Sequence, residues 1–372
     1  MKSSQIKVSE LGEKQLIERI IQKSKSCSIY KPSDFNDFDD KTSIGDDSAL
    51  TNVNIDDNSY LVSSSDMLIQ SSHFPKAMTH FQMGYKSVVV NVSDLASMGA
   101  ENIGFLLNIA IPKDMLLDNF DDLICGVVRA CDNYNIPLIG GDTNEASEII
   151  ISGTTIGQVD KDKALMKYGF EKGDLVCISD ELGYAALGFE LLALKEKDQN
   201  LYQEKIDKIK EIDSTIIDLA LLKALMPEAK YDEGHILRDF NTSNNRVSAT
   251  DITDGLASEF YEILNSDKKY FNNSNPSNSY SKGIRIYEDK LPVEYEFKEI
   301  ANILGLNYLD LFLHVGEDFE FLFTINEELK DQLSAEMNYY VIGEITDNNT
   351  VEIVLSNGQI EKISSRGYQH LK

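Results

Sequence analysis

Hydrophobic and polar positions change period several times along the chain, and each change predicts an element. In "LGEKQLIERIIQKS", residues 11–24, Leu16, Ile17, Ile20 and Ile21 recur at helical spacing and predict a short amphipathic helix. Residues 60–68 read as a strand, and "HFQMGYKSVVVNVSDLASMG" as a long helix stopped by Gly99. "IGFLLNIAI" has the length of a buried strand, a helix follows through "DDLICGVVRACDNY", and "IPLIGG" and "EIIISGTTIGQV" read as two more strands. After residue 160 the pattern restarts. "GFEKGDLVCISDEL" is a turn leading into a strand, followed by a helix from Tyr184 to about Lys195. At 248–260, "SATDITDGLASEF", a strand hands over to a helix. "GIRIYEDKL", "FEFLFTI", "YYVIGEIT" and "VEIVLSNGQIEKI" read as strands, the last run broken by a Ser-Asn-Gly turn.

The 372 residues exceed what one core organises, so two domains are expected: an α/β domain over 1–160 and an α+β domain over 161–372. Two stretches read as peripheral insertions. One is the charged, helix-prone run 195–215; the other is 266–282, which contains the polar loop "FNNSNPSNSYSK". No internal repeat is visible.

Composition narrows the function. Hydrophobic residues make up 42%, ordinary for a folded protein, and no apolar run approaches the roughly 20 residues that span a bilayer. The N-terminus has no apolar core of the kind a signal peptide carries. Cys27, Cys125, Cys131 and Cys177 form no CxxC pair and no cluster with His. They point to buried small hydrophobes in a reducing cytoplasm, without zinc or a disulfide framework. The net charge of −27 argues against nucleic acid, whose phosphates need clustered Lys and Arg.

That acidity mostly describes a solvated surface, but seven Asp residues stand inside apolar runs. They are Asp46 and Asp47 in "SIGDDSAL", Asp66 in "YLVSSSDMLI", Asp94 in "VVVNVSDLASMGA", Asp142 in "IPLIGGDT", and Asp251 and Asp254 in "TDITDGL". Each lies beside Ser, Thr or Gly at a strand end or helix start. Any one of them alone could be a helix cap. Together they are too many for the basic residues nearby, because Lys76 and Lys86 are the only Lys or Arg from 43 to 100. Burying unpaired carboxylates costs several kcal/mol or more each. Hard divalent cations such as Mg2+ are the economical partners for short carboxylates on rigid turns. No GxxxxGK[ST] loop, GxGxxG, GxSxG or HExxH motif is present. Phosphate chemistry here would therefore run through metals held by Asp.

The blocks "IGDDSAL", "SSDMLIQSSHF", "YKSVVVNVSDLASMGA", "LIGGDTN", "TDITDGL", "GEDFEFLFT", "IGEIT" and "RGYQHL" occur in an order that resembles the thiamine-monophosphate kinase family. That family belongs to the PurM-like superfamily, with aminoimidazole ribonucleotide synthetase and selenophosphate synthetase. The resemblance runs from about residue 10 to 370, interrupted by the two insertions. It implies a PurM-like two-domain fold. An N-terminal α/β domain that binds ATP and metal pairs its sheet with a second subunit, giving a homodimer, and a C-terminal α+β domain follows. It also implies transfer of the γ-phosphoryl of ATP to thiamine monophosphate. The implied metal-binding positions are Asp46, Ser64, Ser65, Asp66, Asp94, Asp142, Asp251 and Asp254, holding Mg2+ with Mn2+ as a substitute. Gly141, Asp142, Lys167 and Thr253 match nucleotide contacts, and His73, Glu317 and Tyr368 match substrate contacts. No protein nucleophile is implied.

Three positions depart from the family pattern. Lys167 replaces the usual Arg and loses its bidentate fork. "VGED" at 315–318 replaces "GGED", and "LMP" at 225–227 replaces "LRP". His80, His235 and His314 lack ligand-like spacing. Two rival readings remain at this point: another PurM-like ATP-dependent synthetase, or a nucleotide- or cation-binding protein without turnover. Selenophosphate synthetase lacks support because no glycine-flanked early Cys is present. The hydrogenase-maturation branch lacks it because the chain ends "GYQHLK".

Overall fold

A computed structural model describes residues 6–28, 57–242, 245–274 and 280–367. The chain divides into two compact units, Met1–Leu95 with Ala100–Lys161, and Ala96–Gly99 with Asp162–Lys372.

The first unit holds α1 (Glu13–Ser26), β1 (Ser59–Ile69), the one-turn α2 (Gln70–His73), α3 (His80–Ser97), β2 (Glu101–Ile111), α4 (Leu117–Asn133), β3 (Leu138–Glu145) and β4 (Ile150–Asp160). Its sheet has the order β1-β4-β2-β3, with β2 and β3 parallel and the other neighbours antiparallel. Alternation decides the faces. Along β4, Ile151, Gly153, Thr155, Gly157 and Val159 are buried, while the residues between them are partly open. The close packing of α3 on α4 requires glycine. A Cβ on Gly84 would lie 2.0 Å from the Leu123 carbonyl oxygen, and one on Gly126 would lie 1.9 Å from that of Phe81.

Cys27, at the end of α1, is joined to Cys125 in α4 by a disulfide, which corrects the expectation that none is present. The two residues are 98 apart in sequence, so no spacing motif announces the pair; folding brings their Cα atoms to 5.4 Å. The same helix pair is tied by Arg19, which donates two hydrogen bonds to the Asp121 carboxylate, and by Lys23 at 3.1 Å from it. Cys131 and Cys177 are free and buried, as small hydrophobes would be.

The second unit holds β5 (Leu175–Ile178), α5 (Tyr184–Lys197), α6 (Gln199–Ile212), α7 (Thr215–Leu225), α8 (Tyr231–Phe240), β6 (Ser248–Asp251), α9 (Leu256–Ser274), β7 (Gly283–Tyr287), α10 (Tyr295–Leu304), α11 (Tyr308–His314), β8 (Phe321–Ile325), α12 (Lys330–Leu333), β9 (Tyr340–Thr346), β10 (Val351–Val354) and β11 (Ile360–Lys362). Its sheet order is β11-β10-β7-β9-β5-β8-β6. All five residues of β8 are buried, Thr324 among them, as in a strand covered on both faces.

The first expected insertion contributes to this unit's core, and the second is anchored by a buried carboxylate. Within 195–215, Asp198 caps α6 by accepting from the Asn200 and Leu201 amides, and Ile206 and Ile209 are buried with Leu187, Leu191 and Phe297. Within 266–282, α9 continues as helix to Ser274. Asp267 is buried there, with the Lys282 ammonium at 2.8 Å and the Gly169 amide donating to it. In the first run the charged faces hid a narrow apolar stripe; in the second, one buried ion pair anchors a polar stretch. Among the described residues no helix is long and apolar enough to cross a membrane.

Candidate active site

Strand alternation sorts the first unit's candidate residues into two groups. Ser64 and Asp66 point to the face that carries α3. There Ser64 Oγ donates to the Asp94 carboxylate, and the Asp66 amide donates to Asn91 Oδ1 at 3.0 Å. Asp66 sits opposite Gly153, where a Cβ would lie 2.4 Å from Asn91 Nδ2. Ser64, Asp66 and Asp94 therefore gather on one side. Ser65 points the other way, its hydroxyl bonded to the Gly153 carbonyl at 2.8 Å and to Thr154 Oγ1 at 2.9 Å. Asp142 shares that opposite face. It pairs with exposed Asn108, between buried Leu107 and Ile109. Three strand spacings, roughly 14 Å, separate β1 from β3.

Gly141 precedes Asp142 because the chain there passes against β2. A Cβ would lie 1.7 Å from the Leu107 carbonyl oxygen. His73 closes the turn after β1, its Nδ1 accepting from the Ile69 amide at 2.8 Å. Lys86 is fully buried and donates to the His73 carbonyl at 3.0 Å. Asp46 and Asp47 lie outside the described residues.

In the second unit the acids stand on a turn. Asp251 is buried at the end of β6, opposite Phe321. Ile252, Thr253 and Asp254 lead into α9, and residues 316–320 run alongside them. The Glu317 amide donates to the Thr253 carbonyl at 2.8 Å, the Phe319 amide to Ile252 at 3.0 Å, and the Ile252 amide to Glu320 at 2.7 Å. Thr253 and Glu317 are thus adjacent through their backbones. Gly367 packs against the Asp254 carbonyl, which a Cβ would approach to 2.5 Å. Tyr368, the next residue, lies outside the described residues. Lys167 precedes Tyr168, whose ring stacks on Tyr270 at 4.3 Å.

Two buried carboxylates near these residues escaped the sequence search, which collected only Asp. Glu259 lies in the first turn of α9. Burial pushes its pKa up to about 8, opposed by Lys167 and reinforced by Asp251 and Asp254. Glu320 is also raised by burial, against the pull of Lys230 and Lys223. Both stand inside apolar runs, "ASEFYEIL" and "DFEFLF", so the criterion applied to Asp would have found them.

The donors are carboxylates and hydroxyls, the set that hard divalent cations take. Ser64, Asp66 and Asp94 on one face, and the buried Asp251, fit such an ion chemically. Among the described residues, no group of three or more His, Cys, Asp or Glu side chains converges on one point.

Residues 45–159 match the family model of the AIR synthase related protein N-terminal domain. The chain is 31% identical over 332 residues to a thiamine-monophosphate kinase of Pyrococcus abyssi, covering 89% of this chain and 92% of that protein. It is also similar to the solved thiamine-monophosphate kinase of Stenotrophomonas maltophilia, at 26% identity and a TM-score of 0.69 over 92% of this chain and 96% of that one. The structure of AaThiL complexed with AMPPCP and TMP shares the fold, with a TM-score of 0.69 and 23% identity over 98% of this chain and 99% of that one.

Proposed function

The chain belongs to the thiamine-monophosphate kinase family, and on that premise we propose that it transfers the γ-phosphoryl group of ATP to the phosphate of thiamine monophosphate, giving thiamine diphosphate and ADP. The observation that carries this reading is the likeness to the Pyrococcus kinase across nearly nine-tenths of the chain.

In this reading Asp46, Ser64, Ser65, Asp66, Asp94, Asp142, Asp251 and Asp254 hold Mg2+, or Mn2+ in its place. Bound there, the cations supply neutralisation of phosphate charge, which phosphoryl transfer needs more than a strong base. Gly141, Asp142, Lys167 and Thr253 contact the nucleotide. Gly141 can do so through backbone, since it carries no Cβ. His73, Glu317 and Tyr368 contact the thiamine phosphate. The backbone bond between Glu317 and Thr253 supports placing the acceptor's recognition beside a nucleotide contact.

Transfer is direct and in line. The acceptor phosphate has a second pKa of about 6 and is already anionic at neutral pH. The protein's task is to hold that oxygen near the γ-phosphorus. The first unit is read as the ATP- and metal-binding domain of a cytoplasmic homodimer. Leu61 and Met67, both exposed on β1, support a sheet face that a second copy covers. The test is an ATP-consumption assay with and without thiamine monophosphate. Consumption that depends on the acceptor and yields thiamine diphosphate is expected. Hydrolysis indifferent to the acceptor would favour another synthetase, and no consumption a binding protein.

A further inference from the structure

Residues 316–320 run beside the Thr253 turn in a conformation that costs energy. Glu317 and Phe319 have φ of 66° and 53°, in the left-handed region that non-glycine residues seldom occupy. Such strain persists only where the surroundings impose it. On one side the imposition comes from the backbone bonds to Ile252 and Thr253 and from Gly316, where a Cβ would lie 1.8 Å from the Thr253 carbonyl oxygen.

On the other side it comes from Asp318, the residue between the two left-handed ones. Its side chain is buried, 6% exposed. Oδ1 accepts from the Gly183 amide at 3.1 Å, and the Ala185 amide also favours the charged carboxylate. These are amides at the N-terminus of the fourteen-residue α5, whose own cap residue, Gly183, has no side chain to offer. The cap therefore comes from a residue 135 positions away and ties α5 to the strained segment. Oδ2 is buried without a hydrogen-bond partner. Gly183 has φ of 91°, a conformation that Ser or Thr rarely adopts, so the cap has to come from elsewhere in the chain.

We propose that Asp318 is a positioning residue for phosphate-acceptor recognition. By fastening residues 316–320 to the start of α5, it fixes the left-handed conformations that hold Glu317 beside Thr253. This rests on the reading of Glu317 as a substrate contact. Burial pushes the Asp318 pKa up to about 8, so near neutrality an amide is a close mimic of its carboxyl.

The test compares Asp318→Ala, Asp318→Asn and Glu317→Gln with Leu191→Ala, which opens a cavity in the buried core of α5. Two readouts are used: amide hydrogen exchange, and separate KM values for thiamine monophosphate and ATP. Asp318→Ala is expected to unprotect the Glu317 and Phe319 amides. It should raise the KM for thiamine monophosphate about tenfold or more and leave that for ATP within about twofold. Asp318→Asn should recover most of both losses, and Leu191→Ala should lower Tm without the KM split. Should Asp318→Ala fail to fold, Asp318→Ser, which is too short to reach α5, replaces it with the same expectation. Unchanged exchange at Glu317 and Phe319, or equal changes in both KM values, overturns the proposal. So does a KM split in Leu191→Ala as large as that in the Asp318 variant. If Glu317→Gln leaves the KM for thiamine monophosphate unchanged while exchange is lost in Asp318→Ala, the substrate reading of Glu317 has failed and the fastening stands.

Discussion

The two units present their candidate ligands in opposite ways. In the first, Ser64, Asp66 and Asp94 project from a long strand and a long helix, and Asp142 from a strand. Their directions follow from the period of two along β1 and from α3 packing behind it. In the second, Thr253 and Asp254 stand on an irregular turn after β6. What fixes that turn is a neighbouring segment with two left-handed residues and a carboxyl anchored to another helix. Regular elements aim side chains cheaply. A turn has to be braced from outside, so its accuracy depends on residues that touch no substrate.

The largest effect is expected where regular geometry aims a carboxylate. Asp94→Asn should lower kcat by about a thousandfold or more, roughly 4 kcal/mol of transition-state stabilisation, while circular dichroism and Tm stay near wild type. Asp142→Asn should do the same, and excess chelator should abolish turnover in the wild type. A variant rate within about tenfold of wild type would remove these acids from the metal set. The comparison sharpens at adjacent residues. Ser64→Ala should cost at least about tenfold more in kcat/KM than Ser65→Ala, because the Ser64 hydroxyl is bonded to the Asp94 carboxylate and that of Ser65 to Gly153 and Thr154. Equal losses would mean that the strand direction does not sort them.

A smaller effect is expected from recognition. Tyr368→Ala should raise the KM for thiamine monophosphate by roughly 2- to 30-fold, the range set by a cation–π contact of about 0.5–2 kcal/mol, with the KM for ATP nearly unchanged. Equal shifts in both constants would make Tyr368 a packing anchor.

The disulfide separates the units by stability. With Cys27 and Cys125 closing a loop across 98 positions, Cys27→Ser or a reductant should destabilise the first unit by about 2–4 kcal/mol. Hydrogen exchange should then rise in α1 and α4 and stay level in β8. A uniform rise, or none, would contradict a local staple.

The last effect is a change of slope. The folded pKa of Asp318 is raised from 3.8 to about 8, chiefly by burial. The native state therefore keeps a proton that the unfolded chain releases. This residue's contribution to stability falls as pH rises through that window and levels off above it, by at most roughly 1.4 kcal/mol per pH unit. Urea midpoints of Asp318→Asn measured between about pH 5 and 8 should decline less steeply than wild type. Parallel declines would show that the carboxyl is ionised throughout.

Much of this was legible in the sequence because the first unit is regular. The stretch 60–68, read as a strand, became β1, and the helical run ending at Gly99 became α3, with Asp66 and Asp94 in place on them. What the motifs could not show was direction. Ser64 and Ser65 look equivalent in "SSSD" and face opposite ways. The second unit was less legible because its devices are long-range. The α5 cap spans 135 positions and the Asp267–Lys282 pair anchors a stretch that reads as loop. The disulfide was hidden for the same reason. Glu259 and Glu320 were visible in their apolar runs and were missed because only Asp was collected.

The most direct test follows the label from γ-labelled ATP in the presence of Mg2+, with thiamine monophosphate varied against ATP in initial-rate measurements. Direct transfer predicts intersecting lines, label recovered in thiamine diphosphate, and no label on the protein after incubation with ATP alone. Parallel lines, together with a labelled peptide carrying one of the Asp residues or His73, would contradict it.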